Sequence, residues 1–198
     1  MPMSFISNAL SEAETFVTST VKAGVRSIFN EKYCMIFQGE EKAGKSTLLH
    51  CLEGKEFCSA YRKTINQSKA LVSTEDVEWT LWDTVGGNVG IREKEALRNQ
   101  IQGNKESAVL TYVFDAEKCC DSLPKEIFYG IGNCISESKE RGFVPLIIGT
   151  RGDKLNDTQR ESIKEKIRQM GAKCEIFDMT HSETREKLVN FMDGSVKK

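Results

Sequence analysis

The run Gly39-Glu40-Glu41-Lys42-Ala43-Gly44-Lys45-Ser46, followed by Thr47, sets two glycines, a lysine and a hydroxyl at the spacing GxxxxGK[ST]. That spacing suits a polyphosphate. The glycines let the backbone curl so that successive N–H groups point inward at phosphate oxygens, and a helix opening near Lys45 adds the positive end of its dipole. Lys45 is expected to reach the β- and γ-phosphates and Ser46 to set its hydroxyl on Mg2+. A chance glycine-rich turn is the alternative, and the hydrophobic strand before this run and the helical pattern after it count against that.

Two further groups follow in order. Asp83-Thr84-Val85-Gly86-Gly87 comes directly after the strand-like Val77-Glu78-Trp79-Thr80-Leu81-Trp82. A carboxylate at a strand end can hold the shell of Mg2+ through water, and Gly86 can lend a backbone N–H to the γ-phosphate. The alternative makes Asp83 a turn residue after a strand, a reading that the lysine of the upstream loop, Lys45, counts against. Thr150-Arg151-Gly152-Asp153 then follows the apolar Val144-Pro145-Leu146-Ile147-Ile148-Gly149. A carboxylate at Asp153 can accept from both N1–H and the exocyclic amine of guanine, groups that adenine lacks at that edge. Arg151 can lay its stem and guanidinium over the base. An isolated TRGD is usually a surface turn; its place after the other two groups favours the nucleotide reading.

The elements that must hold these groups are legible as alternating periods. Strands are expected at residues 33–38, 77–83, 108–115, 143–149 and 173–178, and helices after the glycine-rich loop and at 91–102, 125–141, 158–170 and 183–192. Such alternation implies an α/β fold with a mainly parallel sheet. Residues 1–30 differ: Phe5, Leu10, Phe16, Val17, Val21, Val25 and Ile28 recur at helical spacing among Ser, Thr and Glu, which predicts an amphipathic helix preceding one domain over 31–198.

Composition narrows the classes. Lys+Arg at 28 against Asp+Glu at 29 gives a net charge of -1, without the footprint of a dedicated nucleic-acid binder. Seven cysteines form no CxxC pair, which argues against a disulfide framework or zinc ribbon and for a reducing, cytoplasmic setting. No apolar run approaches the roughly 18 residues of a membrane span. The first residues do not form a secretory signal, and Pro2 stands where myristoylation requires glycine. His50, His181 and the pair Cys119-Cys120 have no evident chemical partners, although the thiols could be acylated or oxidised.

On GEEKAGKS, WDTVGG and TRGD, the chain resembles the small GTPase superfamily across residues 32–193. Glu41 inside the loop and Trp82-Asp83 before two glycines look most like the Arf/Sar branch. Leu81-Trp82-Asp83 with Tyr112-Val113-Phe114-Asp115 is also similar to Rag proteins. The resemblance implies a P-loop NTPase fold with a mainly parallel six-stranded sheet, GTP or GDP with Mg2+, and protein effectors with an exchange factor and an activating protein. Thr150, where most members carry Asn, resembles the TKxD variant of Rho proteins. Switch I would fall at residues 58–70, with Thr64 sensing Mg2+ and the γ-phosphate and Ser59 and Ser68 as rivals; switch II would cover 83–100. Met179-Thr180-His181 maps onto the loop that touches the guanine oxygen, without the usual SAK or SAL.

One departure bears on catalysis. The glutamine that orients water in the family is Gly87 here, with Asn88 next. Glycine has no group for that task, so intrinsic hydrolysis is expected to be slow unless Asn88 shifts by one residue or a partner supplies the group. Two other readings stand beside the switch: a catalytically inactive module that holds GTP or GDP for assembly, and a P-loop nucleotide kinase, which leaves TRGD unexplained. The resemblance also implies that the N-terminal helix packs on the domain in one nucleotide state and reaches a membrane surface in the other. Covering the core or a partner is the equal alternative.

Overall fold

The computed structural model describes residues 31–55, 57, 68–84, 91–103, 107–120 and 122–197. Within them runs a six-stranded sheet: β1 (Glu31–Gln38), β2 (Ser68–Ser73), β3 (Val77–Asp83), β4 (Ser107–Asp115), β5 (Val144–Thr150) and β6 (Lys173–Ile176), in the order β2-β3-β1-β4-β5-β6. All neighbours are parallel except β2, which runs antiparallel to β3. Five helices flank the sheet: α1 (Lys45–Leu52), α2 (Ile91–Gly103), α3 (Lys125–Arg141), α4 (Asp157–Gln169) and α5 (Thr184–Val196).

Burial follows from position in the sheet. Cys34 through Phe37 and Ala108 through Asp115 are continuously buried, as central strands covered on both faces must be. On one face, α2, α3 and α4 bury Leu97, Ile131 and Ile167 against Ile36, Leu110 and Ile147. On the other, α1 and α5 bury Leu48, Leu52, Leu188 and Met192 against Phe37, Trp79 and Val113. Trp79 Nε1 donates to Asp193 Oδ1 at 2.8 Å, fixing α5 to β3. Local signals set the helix ends. Asn156 and Gln159 form a reciprocal capping box that opens α4, and Gly142, at φ 72°, closes α3 in the left-handed conformation that glycine tolerates.

The chain moves from β1 outward to β2 and β3, then crosses back through α2 to β4 on the other side of β1. Connections therefore diverge at the carboxyl end of β1, which opens a crevice at the switch point where α/β sheets bind ligands. The strands and helices expected after residue 30 all occur, with boundaries shifted by a residue or two and with α5 extending to Val196. Two expectations change. Residues 68–70, assigned to switch I, lie in β2, because Ala70 and Val72 bury one side of an edge strand against β3. β6 ends at Ile176 rather than 178: Phe177 N–H still donates to Gly149 O of β5 at 2.9 Å, but its carbonyl accepts from Gly152 N–H in the loop after β5, and the chain then turns at 179–180. The helix expected over residues 1–30 lies outside the described residues. Among those described, no helix is long and apolar enough to cross a membrane.

Candidate nucleotide site

The glycine-rich loop leaves β1 and enters α1 through backbone that side chains would obstruct. Gly39 has φ 141°, and a Cβ there would lie 2.0 Å from the carbonyl oxygen of Val113 on β4. Gly44 has φ 88° as the cap of α1, and a Cβ would stand 2.9 Å from Thr150 Cγ2. Lys42 also adopts a positive φ, 66°, and Ala43 N–H donates to Glu40 O at 3.3 Å, so the loop curls tightly. Lys45, only 6% exposed, folds back across it. Its Nζ donates to Gly39 O at 3.1 Å and Glu40 O at 2.8 Å. Burial pushes the ammonium's pKa down, the charge of Asp83 opposes that shift, and Lys94 on α2 adds to it. Glu40, Glu41 and Lys42 are exposed, Ala43 is buried, and Thr47 is half-buried on α1.

Ser46 Oγ donates to Asp83 Oδ2 at 2.6 Å, joining the start of α1 to the end of β3. Asp83 is 1% exposed. The next residue, Thr84, donates its hydroxyl to Phe37 O at 2.6 Å and thereby fixes the exit of β3 against β1. A hydroxyl and a carboxylate at the mouth of a curled loop form an oxygen donor set suited to a hard divalent cation shared with phosphate. The residues present therefore fit Mg2+: Ser46 would supply a direct oxygen ligand and Asp83 would hold the surrounding shell. Ser68, the rival for the sensing role, stands opposite Asp83 in the β2–β3 register. Thr64, Gly86, Gly87 and Asn88 lie outside the described residues.

The base side is built from the ends of β5 and β6. Thr150 is buried, and its hydroxyl lies 2.9 Å from Ala43 O and 3.3 Å from Phe114 O. It thus stands behind the glycine-rich loop and braces it. Arg151, at φ 57°, turns the chain into a short 3-10 helix, Gly152–Lys154. Its guanidinium is drawn to Glu117 Oε2 at 2.9 Å and Asp115 Oδ2 at 3.3 Å. Asp153 pairs with Lys154 at 2.8 Å, a half-exposed contact that costs little to break.

Gly152 N–H donates to Phe177 O at 3.0 Å, and a Cβ on Gly152 would crowd Phe177 at 3.1 Å. The loops after β5 and β6 are therefore held face to face. Arg160 adds a bond from Nη2 to Gly152 O at 2.7 Å. In the second loop, Asp178 Oδ1 accepts from the amide of Thr180 at 2.8 Å and from its hydroxyl at 2.6 Å, while Oδ2 lies 3.1 Å from His181 Nε2. Burial raises the Asp178 pKa, but these donors outweigh it and hold the carboxyl below its ordinary value. Thr180 and His181 are thus organised by a residue that motif reading passes over. The available signal was an acidic residue at the end of a strand followed two positions later by a hydroxyl.

The sequence profile of the Ras family matches residues 34–195. The chain belongs to the Ras family. No curated protein matches it closely enough to be named beside that profile. Membership makes this a GTP-binding domain of the small GTPase type, and the Ras-family range spans every described strand and all five helices apart from the ends of β1 and α5. Three groups of residues spread from position 39 to 180 therefore meet at one crevice of a Ras-family domain: the P-loop, Asp83, and the paired loops carrying Asp153 and Thr180. Cys119 and Cys120 do not join it. Cys119 is buried, and burial together with Asp115 pushes its thiol up to about 12.

Proposed function

We propose that this Ras-family chain is a guanine-nucleotide switch that binds GTP and GDP with Mg2+, hydrolyses GTP slowly unaided, and shows effectors a different surface in each state. The observation that carries this reading is the 2.6 Å contact from Ser46 to Asp83 beside the buried Lys45. It assembles a cation-binding pair and a phosphate-binding amine at the mouth of a loop whose glycines have no room for side chains. Mg2+, when bound, would neutralise charge on the β- and γ-phosphate oxygens. Lys45 would turn from its loop carbonyls to those oxygens, and Asp153 would accept from the guanine edge.

Slow turnover is inferred from Gly87 at the position of the water-orienting glutamine. Glu41 in the P-loop, Trp82-Asp83 and the amphipathic pattern of residues 1–30 support an Arf/Sar-like assignment, a domain boundary near residue 30, and peripheral contact with the cytosolic face of a membrane through the apolar face of that segment. Regulators of exchange and hydrolysis belong to the same reading. Gly87 also favours a second one, a module that holds nucleotide permanently for assembly.

The deciding experiment identifies the nucleotide that co-purifies and compares mant-GTP, mant-GDP and mant-ATP for wild type and Asp153→Asn. Preference for guanine that disappears in the variant is expected; equal ATP and GTP affinity refutes the assignment. A single-turnover assay should give slow hydrolysis, and brisk turnover without a partner overturns that part. Identical protease cleavage patterns with GDP and a non-hydrolysable GTP analogue would favour the permanent module.

A further inference from the structure

Helix α2 begins at the carboxyl edge of the sheet, where the P-loop lies, and runs back toward the start of β4. Two arginines clamp it to α3. Arg141 of α3 donates to Glu95 Oε1 at 2.5 Å, Asn99 Oδ1 at 2.9 Å and Gln102 Oε1 at 3.2 Å, spanning two turns of α2. Arg98 of α2 pairs with Glu137 of α3 at 2.9 Å, and the same carboxylate oxygen lies 3.0 Å from Arg141. Arg98 also donates to Gln38 Oε1 at 2.7 Å. Gln38 is the last residue of β1, directly before Gly39, so this contact fixes the register of α2 against the P-loop.

Lys94 lies one turn before Arg98 on the same helical face, roughly 6 Å nearer the carboxyl edge. That turn brings it level with the P-loop, and it is 8% exposed there. We infer that Lys94 is a second lysine of the phosphate site, held in place by the α2–α3 clamp, and that its ammonium contacts the terminal phosphate of a nucleoside triphosphate. This rests on the guanine-nucleotide reading above.

Charge supports the placement. Lys94 lies within the electrostatic reach of Glu40 and Arg98, and it acts on Lys45 across the loop. Burial and the neighbouring Arg98 disfavour its charged form, with Glu40 opposing them. Both lysines feel the charge of Glu40 in that loop, and each, with Arg98 beside Lys94, stands near a like charge that disfavours its own. A polyanion between them removes that cost, and a triphosphate brings one more phosphate and more negative charge than a diphosphate does. Lys94 therefore separates GTP from GDP by a contact only the triphosphate can make.

The test uses the full chain with mant-GMPPNP and mant-GDP. Lys94→Met should weaken mant-GMPPNP about tenfold, the scale of one lost charge-assisted hydrogen bond, and leave mant-GDP within about twofold. Lys94→Arg should recover most of the difference. An unchanged ratio of the two affinities in Lys94→Met overturns the inference, and the retained GDP binding shows that the variant is folded. Should Lys94→Met lose both nucleotides, amine acylation of the wild type decides instead. GMPPNP should slow labelling of Lys94 at least about threefold relative to GDP, and equal rates overturn the proposal. Failure of the wild type to bind either nucleotide appears before any variant is made and sinks the guanine reading itself.

Discussion

Replacing Thr150 with valine tests the brace behind the P-loop. The side chains have nearly the same shape, and the methyl that fills the space beside Gly44 is kept, so no cavity forms. Only the hydroxyl is lost. The structure places that hydroxyl 2.9 Å from Ala43 O, within a region where both Ala43 and Thr150 are buried. Removing the donor leaves a carbonyl without the bond that burial demands, a cost of about 1–3 kcal/mol. Taking about 2 kcal/mol as the centre, a domain of this size should melt roughly 4–8 °C lower. The same carbonyl belongs to the loop that must present its amides to phosphate. Any part of the cost relieved by rearranging the loop will therefore appear as weaker binding, up to about thirtyfold and equal for GDP and a GTP analogue, because both use the β-phosphate cradle. Circular dichroism melting and mant-nucleotide titration measure the two parts. Melting within 1 °C of wild type together with affinities within twofold would refute the reasoning and make Thr150 a mere filler.

Gly39→Ala should abolish nucleotide binding: its Cβ would lie 2.0 Å from a backbone oxygen of β4, and neither strand can retreat. Titration with mant-GDP checks this, and measurable affinity near wild type would show that the loop can relax. Asp178→Asn should flatten the acid side of the stability profile. The folded carboxyl titrates below its ordinary value of 3.8, so its contribution is fully present above that value and is lost as pH falls through the lower, folded one. Urea melts between about pH 2 and pH 6 should therefore show a steeper loss in wild type than in the variant.

The sheet was legible wherever burial on both faces writes a continuous apolar run, as in Leu110 through Phe114. It was illegible at β2. Ser68-Lys69-Ala70-Leu71-Val72-Ser73 shows only Ala70 and Val72 to the core, and Leu71 is 73% exposed, so an edge strand with two buried residues reads as loop. The site divides in the same way. Gly39, Gly44, Lys45, Ser46, Asp83 and Asp153 are recognisable because each has a chemical task at fixed spacing. Thr84, Glu137, Arg98 and Arg160 act through contacts with backbone or with partners elsewhere in the chain, and nothing local marks them, whereas Asp178 carries only the weak local signal of a hydroxyl two positions later. The pairing of the Arg151 guanidinium with Glu117 and Asp115, across 34 and 36 residues, is likewise encoded by no motif.

The P-loop joins two kinds of position. Gly39 and Gly44 are fixed by neighbouring atoms, whereas Glu40, Glu41 and Lys42 between them face solvent. Random substitution should therefore meet a wall at the ends of the loop and open ground in its middle. The three middle side chains border the mouth of the loop while contributing little to the core, so their charge can drift without endangering the fold. A lineage could retune how long the bound state lasts by altering these residues alone, with the cradle itself unchanged.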